Sequence, residues 1–254
     1  MTYCVGLLVE DGLAMIADTR TNAGVDNISS YRKLHVVEVP GERVLAVATA
    51  GNLSVTQTAM AMVREGLHMP GSEEPETLAS APSLFRAAQL IGHAIKLVRR
   101  EIAPSLEADN LMADATVLLG GQIGGAAMGL YLIYAQGNFI ECQPDTPYLQ
   151  IGEFKYGKPI LDRALRPSTP LPEAVKLGLI SFDSTLRSNI SVGLPLDLIV
   201  IKNRELTGER RRIETDDPYF RDLGARWSQA LAAAHRDMPT PTWLDDLEPP
   251  EPSP

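Results

Sequence analysis

Hydrophobic positions change period several times along the chain. Residues 2–9 and 13–18 are short apolar runs separated by Glu10-Asp11-Gly12. Asp-Gly between two such runs is a tight-turn signal, so the chain opens with a predicted hairpin. After a polar segment at 19–32, the runs 34–39 and 44–50, split by Pro40-Gly41-Glu42, predict two more strands. Beyond Gly51-Asn52 the period switches. Val55, Ala59, Met62 and Val63 recur at helical spacing and predict a helix over about 53–65. A Pro-, Ser- and Glu-rich loop at 70–82 leads into Leu84, Ala88, Ile91, Ile95 and Val98, a second helix predicted to end before Pro104.

Strand-like runs then return at 116–119, 128–134 and 139–142, with turns expected at the Gly120-Gly121-Gln122-Ile123-Gly124-Gly125 cluster and at Gly137-Asn138. Residues 158–165 and 172–188 read as helices, 196–201 as a buried return strand, and 217–236 as a final amphipathic helix. Strands, two helices, strands, two helices and a strand do not alternate as a doubly wound sheet does. Two antiparallel sheets covered by helical layers fit better: an α+β fold, a four-layer αββα sandwich. Residues 1–236 are expected to form one domain. Residues 237–254 hold six prolines and five acids with no Lys or Arg, and are expected to be a disordered acidic tail.

Composition narrows the function classes. At 254 residues, with 44% hydrophobic and 22% charged residues, the chain is a folded protein and neither collagenous nor low-complexity. A net charge of −9 would repel phosphate backbones, so nucleic acid is not an expected partner. The long uncharged stretch 115–140 is broken by its glycines, Gln136 and Asn138, and no membrane partner is expected. Glu10 and Asp11 interrupt the first apolar run, which argues against a secretory signal. Two cysteines, Cys4 and Cys142, cannot make a disulfide scaffold, and the cytoplasm is the expected compartment. His35, His68, His93 and His235 lack metal-ligand spacing, so neither a metal nor a cofactor is expected.

Thr2 carries the candidate chemistry. Removal of Met1 would leave a free α-amine and a hydroxyl on one residue, and an amine of reference pKa about 7.7–8.0 can take the hydroxyl proton near neutrality. The hairpin brings its open ends together and so sets Asp18 beside Thr2. Lys33 begins the third strand and Gly51 closes the fourth at a helix entrance. An ammonium there lowers the pKa of both hydroxyl and amine, an acid can orient it, and the Gly51 N–H can face an oxyanion. Each has a plainer reading too: Asp18 as a turn cap, Lys33 as a strand-end charge, Gly51 as a helix-entry glycine. Cys4, within a strand that should be buried, is disfavoured as a rival nucleophile.

On Thr2-Tyr3-Cys4-Val5, Ala17-Asp18-Thr19-Arg20, Tyr31-Arg32-Lys33-Leu34-His35, Ile151-Gly152-Glu153-Phe154 and Ser181-Phe182-Asp183-Ser184, the sequence resembles the proteasome-type N-terminal-nucleophile hydrolases. More closely it resembles the bacterial Anbu family of proteasome-like subunits, from Thr2 to about Ile201. The resemblance implies the αββα fold, Thr2 as nucleophile, Asp18 and Lys33 as its activating pair, Gly51 as oxyanion donor, and assembly of copies into a ring or open spiral. Gly152 and Glu153 stand where proteasomal subunits carry a supporting serine, whose role Glu153 either takes over or removes. Asp183 falls at an auxiliary aspartate position, with Ser184 or Ser188 as displaced serine partner, although Asp183 could equally pair with Arg187.

The sequence therefore predicts a threonine-type peptidase acting on a peptide or amide substrate. Its alternatives are an amidase for a non-peptide or isopeptide bond, and a catalytically silent scaffold. Thr49 and Leu53, flanking Gly51, are expected to border the pocket for the side chain before the cut and to favour uncharged groups there. Thr21 and the Gly51 segment are expected to pair with the substrate backbone.

Overall fold

The computed structural model describes residues 2–22, 28–108 and 112–244. Two compact units divide the chain, Met1–Thr215 and Asp216–Pro254. In the first, the opening hairpin is β1 (Tyr3–Val9) and β2 (Gly12–Asp18), followed by the short pair β3 (Arg20–Asn22) and β4 (Ile28–Ser30). The second hairpin is β5 (Leu34–Val39) and β6 (Arg43–Gly51), and α1 (Leu53–Glu65) and α2 (Leu84–Ala108) follow it. Next come β7 (Ala115–Ile123), β8 (Gly129–Ile133), β9 (Phe139–Glu141) and β10 (Tyr148–Gly152). The unit closes with α3 (Lys158–Ala164), α4 (Leu171–Ser188), β11 (Leu196–Lys202) and β12 (Glu209–Ile213).

Two five-stranded antiparallel sheets result, ordered β10-β1-β2-β11-β12 and β5-β6-β7-β8-β9. They face each other over Cys4, Leu13, Met15, Ala46, Leu118, Leu130 and Ile199, a dry inter-sheet core. The outer face of the second sheet packs against α1 and α2 through Val47, Val55, Val63, Ile91, Ile95 and Leu119. On the first sheet's outer face lies α4, where the Tyr3 and Phe182 rings meet at 4.5 Å. These four layers are the α+β sandwich that the element order predicts.

Gly120 and Gly121, expected in a turn, lie inside β7 instead. A Cβ on Gly120 would sit 2.7 Å from Leu13 Cδ2 of the facing sheet, and one on Gly121, at φ +145°, would sit 2.1 Å from Val44 O. Close approach, not chain reversal, is what these glycines permit. Likewise α2 does not stop before Pro104 but runs through it to Ala108. The lost N–H falls in the final turns, beside exposed Glu101 and Ser105, where a missing backbone bond costs least. The β3–β4 pair, β10 and β12 are strands that the hydrophobic pattern does not announce, because each is short and part-polar.

The second unit consists of α5 (Pro218–Asp237), capped by Asp217, which accepts from Phe220 N at 2.9 Å, and a single turn at Thr242–Leu244. Most of the expected tail, 245–254, lies outside the described residues. Among the described residues no helix is long and apolar enough to cross a membrane.

Candidate active site

Strand register sets the geometry. Cys4 pairs with Ala17, which brings Asp18 level with Tyr3, and the Tyr3 N–H donates to Asp18 Oδ1 at 3.1 Å. Lys33, one residue before β5, donates from Nζ to the same Oδ1 at 2.7 Å and to the Arg20 carbonyl at 2.6 Å. Gly193 N adds a longer bond to Asp18 Oδ2 at 3.4 Å. Asp18 is wholly buried and Lys33 is 5% exposed, so this ion pair has left bulk water. Burial pushes the Asp18 carboxyl up from the ordinary carboxylate range, and the Lys33 ammonium with the two backbone N–H groups pulls the other way.

Gly51 ends β6 at φ +108°, and a Cβ there would lie 2.2 Å from Asp114 O, so the position is restricted to glycine. Thr49 N donates to Lys33 O at 3.0 Å, and alternation along the strand turns the Gly51 N–H to that same side. Among the described residues no strand stands opposite it there, because β5 starts only at Leu34. Asn52 then caps α1, its Oδ1 accepting from Ser54 N at 3.1 Å and Val55 N at 3.4 Å.

Across from Gly51, β10 ends on Gly152 at φ +81°, where a Cβ would fall 1.8 Å from the Thr2 carbonyl oxygen. That contact lets Glu153 N donate to Thr2 O at 2.7 Å. A cavity of about 490 Å³ results. Thr2, Thr21, Lys33, Thr49, Gly51, Leu53, Gly152 and Glu153 all line it. Of the residues singled out in the sequence, these eight come together, with Asp18 directly behind Lys33. Thr21 Oγ1 is buried and has no hydrogen-bond partner among the described residues.

Asp183, Ser184 and Ser188 do not line the cavity. The Asp183 carboxylate accepts from Arg187 Nε at 2.9 Å, the helical pairing that was its plainer reading, and Ser188 is exposed. Cys4 is fully buried, and burial followed by the Asp18 charge raises its thiol well above the ordinary range, which disfavours a thiolate. A larger cavity of about 730 Å³ lies along the β5 edge, lined by His35, Arg64, Asp197 and Arg211 among others. It includes none of the predicted site residues and no serine, threonine or cysteine, so size does not identify the site.

Sequence reasoning missed three supports. The Gly193, Tyr3 and Arg20 backbone groups that hold Asp18 and Lys33 have no side-chain signature. Behind Thr2, the Tyr3 hydroxyl shares a 2.5 Å hydrogen bond with Ser181 Oγ and accepts another from Gln150 Nε2 at 2.5 Å, which ties β1 to α4 and β10. Gly157 leaves room for it, since a Cβ there would lie 2.6 Å from that hydroxyl.

No family model and no curated protein matches the chain. Among solved structures it is similar to the Anbu (ancestral beta-subunit) protein of Yersinia bercovieri, at 43% identity over 94% of this chain and 99% of that one, with a TM-score of 0.86. It is similar to an Anbu protein of Hyphomicrobium sp. strain MC1 at 46% identity, covering 94% and 98% of the two chains, TM-score 0.83. The helical assembly of the Anbu complex from Pseudomonas aeruginosa gives 42% identity, 96% and 100% coverage, and a TM-score of 0.86.

Proposed function

The chain belongs to the Anbu (ancestral beta-subunit) family, and from that premise we propose that it is a threonine-type amide-bond hydrolase, a peptidase whose nucleophile is Thr2 once Met1 is removed. The buried 2.7 Å pair between Lys33 and Asp18, with Lys33 and Thr2 lining one cavity, is the observation that carries this reading. In the proposed reaction the neutral Thr2 amine accepts the hydroxyl proton while Oγ1 bonds to the substrate carbonyl carbon. The carbonyl oxygen takes the negative charge and is met by the Gly51 N–H. Collapse breaks the C–N bond, the amine proton passes to the leaving nitrogen, and an ester on Thr2 remains. Water, deprotonated by the same amine, then releases the acid and restores the hydroxyl. Lys33 acts by charge, lowering the pKa of hydroxyl and amine together, and Asp18 orients it. By analogy with the assembly of the Pseudomonas aeruginosa relative, the working form consists of several copies of the chain, acting in the cytoplasm.

Incubation with an electrophilic peptide, followed by intact-mass and fragment analysis, tests this. The expected result is loss of Met1 and a single adduct on Thr2, absent in Thr2→Ala. Cleavage of peptides should rise with pH through an apparent pKa at or below about 7.7–8.0, and Lys33→Ala should move that rise to higher pH. A processed chain that never labels would instead support the silent scaffold, and cleavage confined to non-peptide or isopeptide amides would change the substrate class.

A further inference from the structure

We propose that Glu153 makes the Thr2 cavity select substrates bearing a lysine or arginine side chain within one side chain's reach of the reacting carbonyl. The inference rests on the reading of this cavity as the substrate site, and it concerns what that site prefers. Only two of the lining side chains are charged, those of Lys33 and Glu153. Lys33 is already engaged, by Asp18 at 2.7 Å and the Arg20 carbonyl at 2.6 Å, and with Asp18 it sums to zero charge. Glu153 is different. Its backbone is fixed on Thr2 O, its side chain is only 14% exposed, and its carboxylate accepts no hydrogen bond among the described residues. Among the described side chains its one ion-pair partner is Lys155 at 3.8 Å, which is 68% exposed, an arrangement that contributes little.

A carboxylate that is little exposed and accepts no hydrogen bond gains from a cation that reaches it. The cavity supplies the rest of a fit for a long cationic side chain: Leu53, Thr49 and Thr56 line it beside the apolar stem, while the charged head finds Glu153. The proposal differs from the uncharged preference that Thr49 and Leu53 suggest in the sequence, because it adds Glu153 to the same pocket.

The test is equilibrium binding, measured by fluorescence anisotropy on the Thr2→Ala protein, so that no turnover is needed. Labelled peptides carry lysine, norleucine or glutamate in turn at each position around one central amide bond. At its best position lysine is expected to bind roughly tenfold more tightly than norleucine, and glutamate most weakly. Glu153→Gln should abolish the lysine preference, and Glu153→Lys should reverse it toward glutamate. Both variants are to be checked for a parental circular-dichroism spectrum and melting curve. Equal affinity for lysine and norleucine in the parent overturns the proposal, as does a lysine preference that survives Glu153→Gln, or the absence of any peptide binding. Failure of Thr2 to take up an electrophile while the lysine preference stands would overturn the hydrolase reading and leave this one intact.

Discussion

A carboxylate and an ammonium that have both left water gain little from each other beyond repaying their desolvation, yet each becomes costly if the other is deleted. Asp18 and Lys33 meet that condition, the first wholly buried and the second nearly so. Lys33→Met should therefore lower unfolding stability by about 3–5 kcal/mol, the scale for leaving a buried charge alone. Adding Asp18→Leu should recover most of that loss, while activity stays absent in both. Urea unfolding of the two single variants and the double variant gives the cycle, and purely additive losses would mean that the pair is not coupled. Asp18 was legible beside Thr2 because a hairpin puts its open ends side by side, and Lys33 as the charge that begins the next long strand. The groups that hold them were not. Gly193 N–H reaches Asp18 from 175 residues away, and a backbone donor looks the same in every sequence. Glu153 was visible only through resemblance, because nothing local says that β10 ends on Thr2.

At the scale of elements, the hydrophobic period located both hairpins, α1, α3, α4 and β11 to within a residue or two, since each buries one face against a neighbouring layer. It failed where tertiary contact overrides local chemistry, as at Gly120-Gly121, whose turn-like composition serves close packing instead. The two glycines should respond differently to alanine. At Gly120 the new methyl meets side-chain ends, Leu13 Cδ2 at 2.7 Å and Leu130 Cδ1 at 3.2 Å, which can turn aside at a cost of about 1–3 kcal/mol. At Gly121 it meets the Val44 carbonyl at 2.1 Å in a left-handed backbone, which cannot move without separating β6 from β7. Thermal melts should rank parent, Gly120→Ala and Gly121→Ala in that order, and the reverse order for the glycines would refute the packing account. The loop before α2 gives a second test. Glu76 forms a two-pronged pair with Arg86, Nε to Oε2 at 2.7 Å and Nη2 to Oε1 at 2.5 Å, and this holds its carboxyl below the ordinary range. A depressed acid stabilises the fold fully above its unfolded value and loses that contribution as pH falls through the folded one. The stability gap between parent and Glu76→Gln, measured by urea unfolding, should accordingly shrink as pH drops below the usual glutamate range. A gap independent of pH would leave the pair without a stabilising role.

For the molecule as a whole, charge and open edges act against each other. Among the described residues both sheets end in strands with one open edge, β10 and β12 in one and β5 and β9 in the other, and exposed Phe85, Met112 and Ile140 add apolar surface in the first unit. Such edges and side chains favour contact with further copies. Each copy, however, carries a net charge of −9, so association of identical chains works against their mutual repulsion. Screening decides the balance. The Debye length is about 30 Å at 0.01 M salt and about 8 Å at 0.15 M, so the repulsion between neighbouring copies largely disappears over that range while apolar burial is unaffected. Light scattering should thus report a mass that climbs with salt from near 27.6 kDa toward a multiple of it. Removing residues 245–254 deletes Asp245, Asp246, Glu248 and Glu251, four of the nine excess charges, and should shift that climb to lower salt. A particle of 27.6 kDa at every ionic strength would overturn self-association. An assembly indifferent to both salt and truncation would mean that its interfaces, not the net charge, set the threshold.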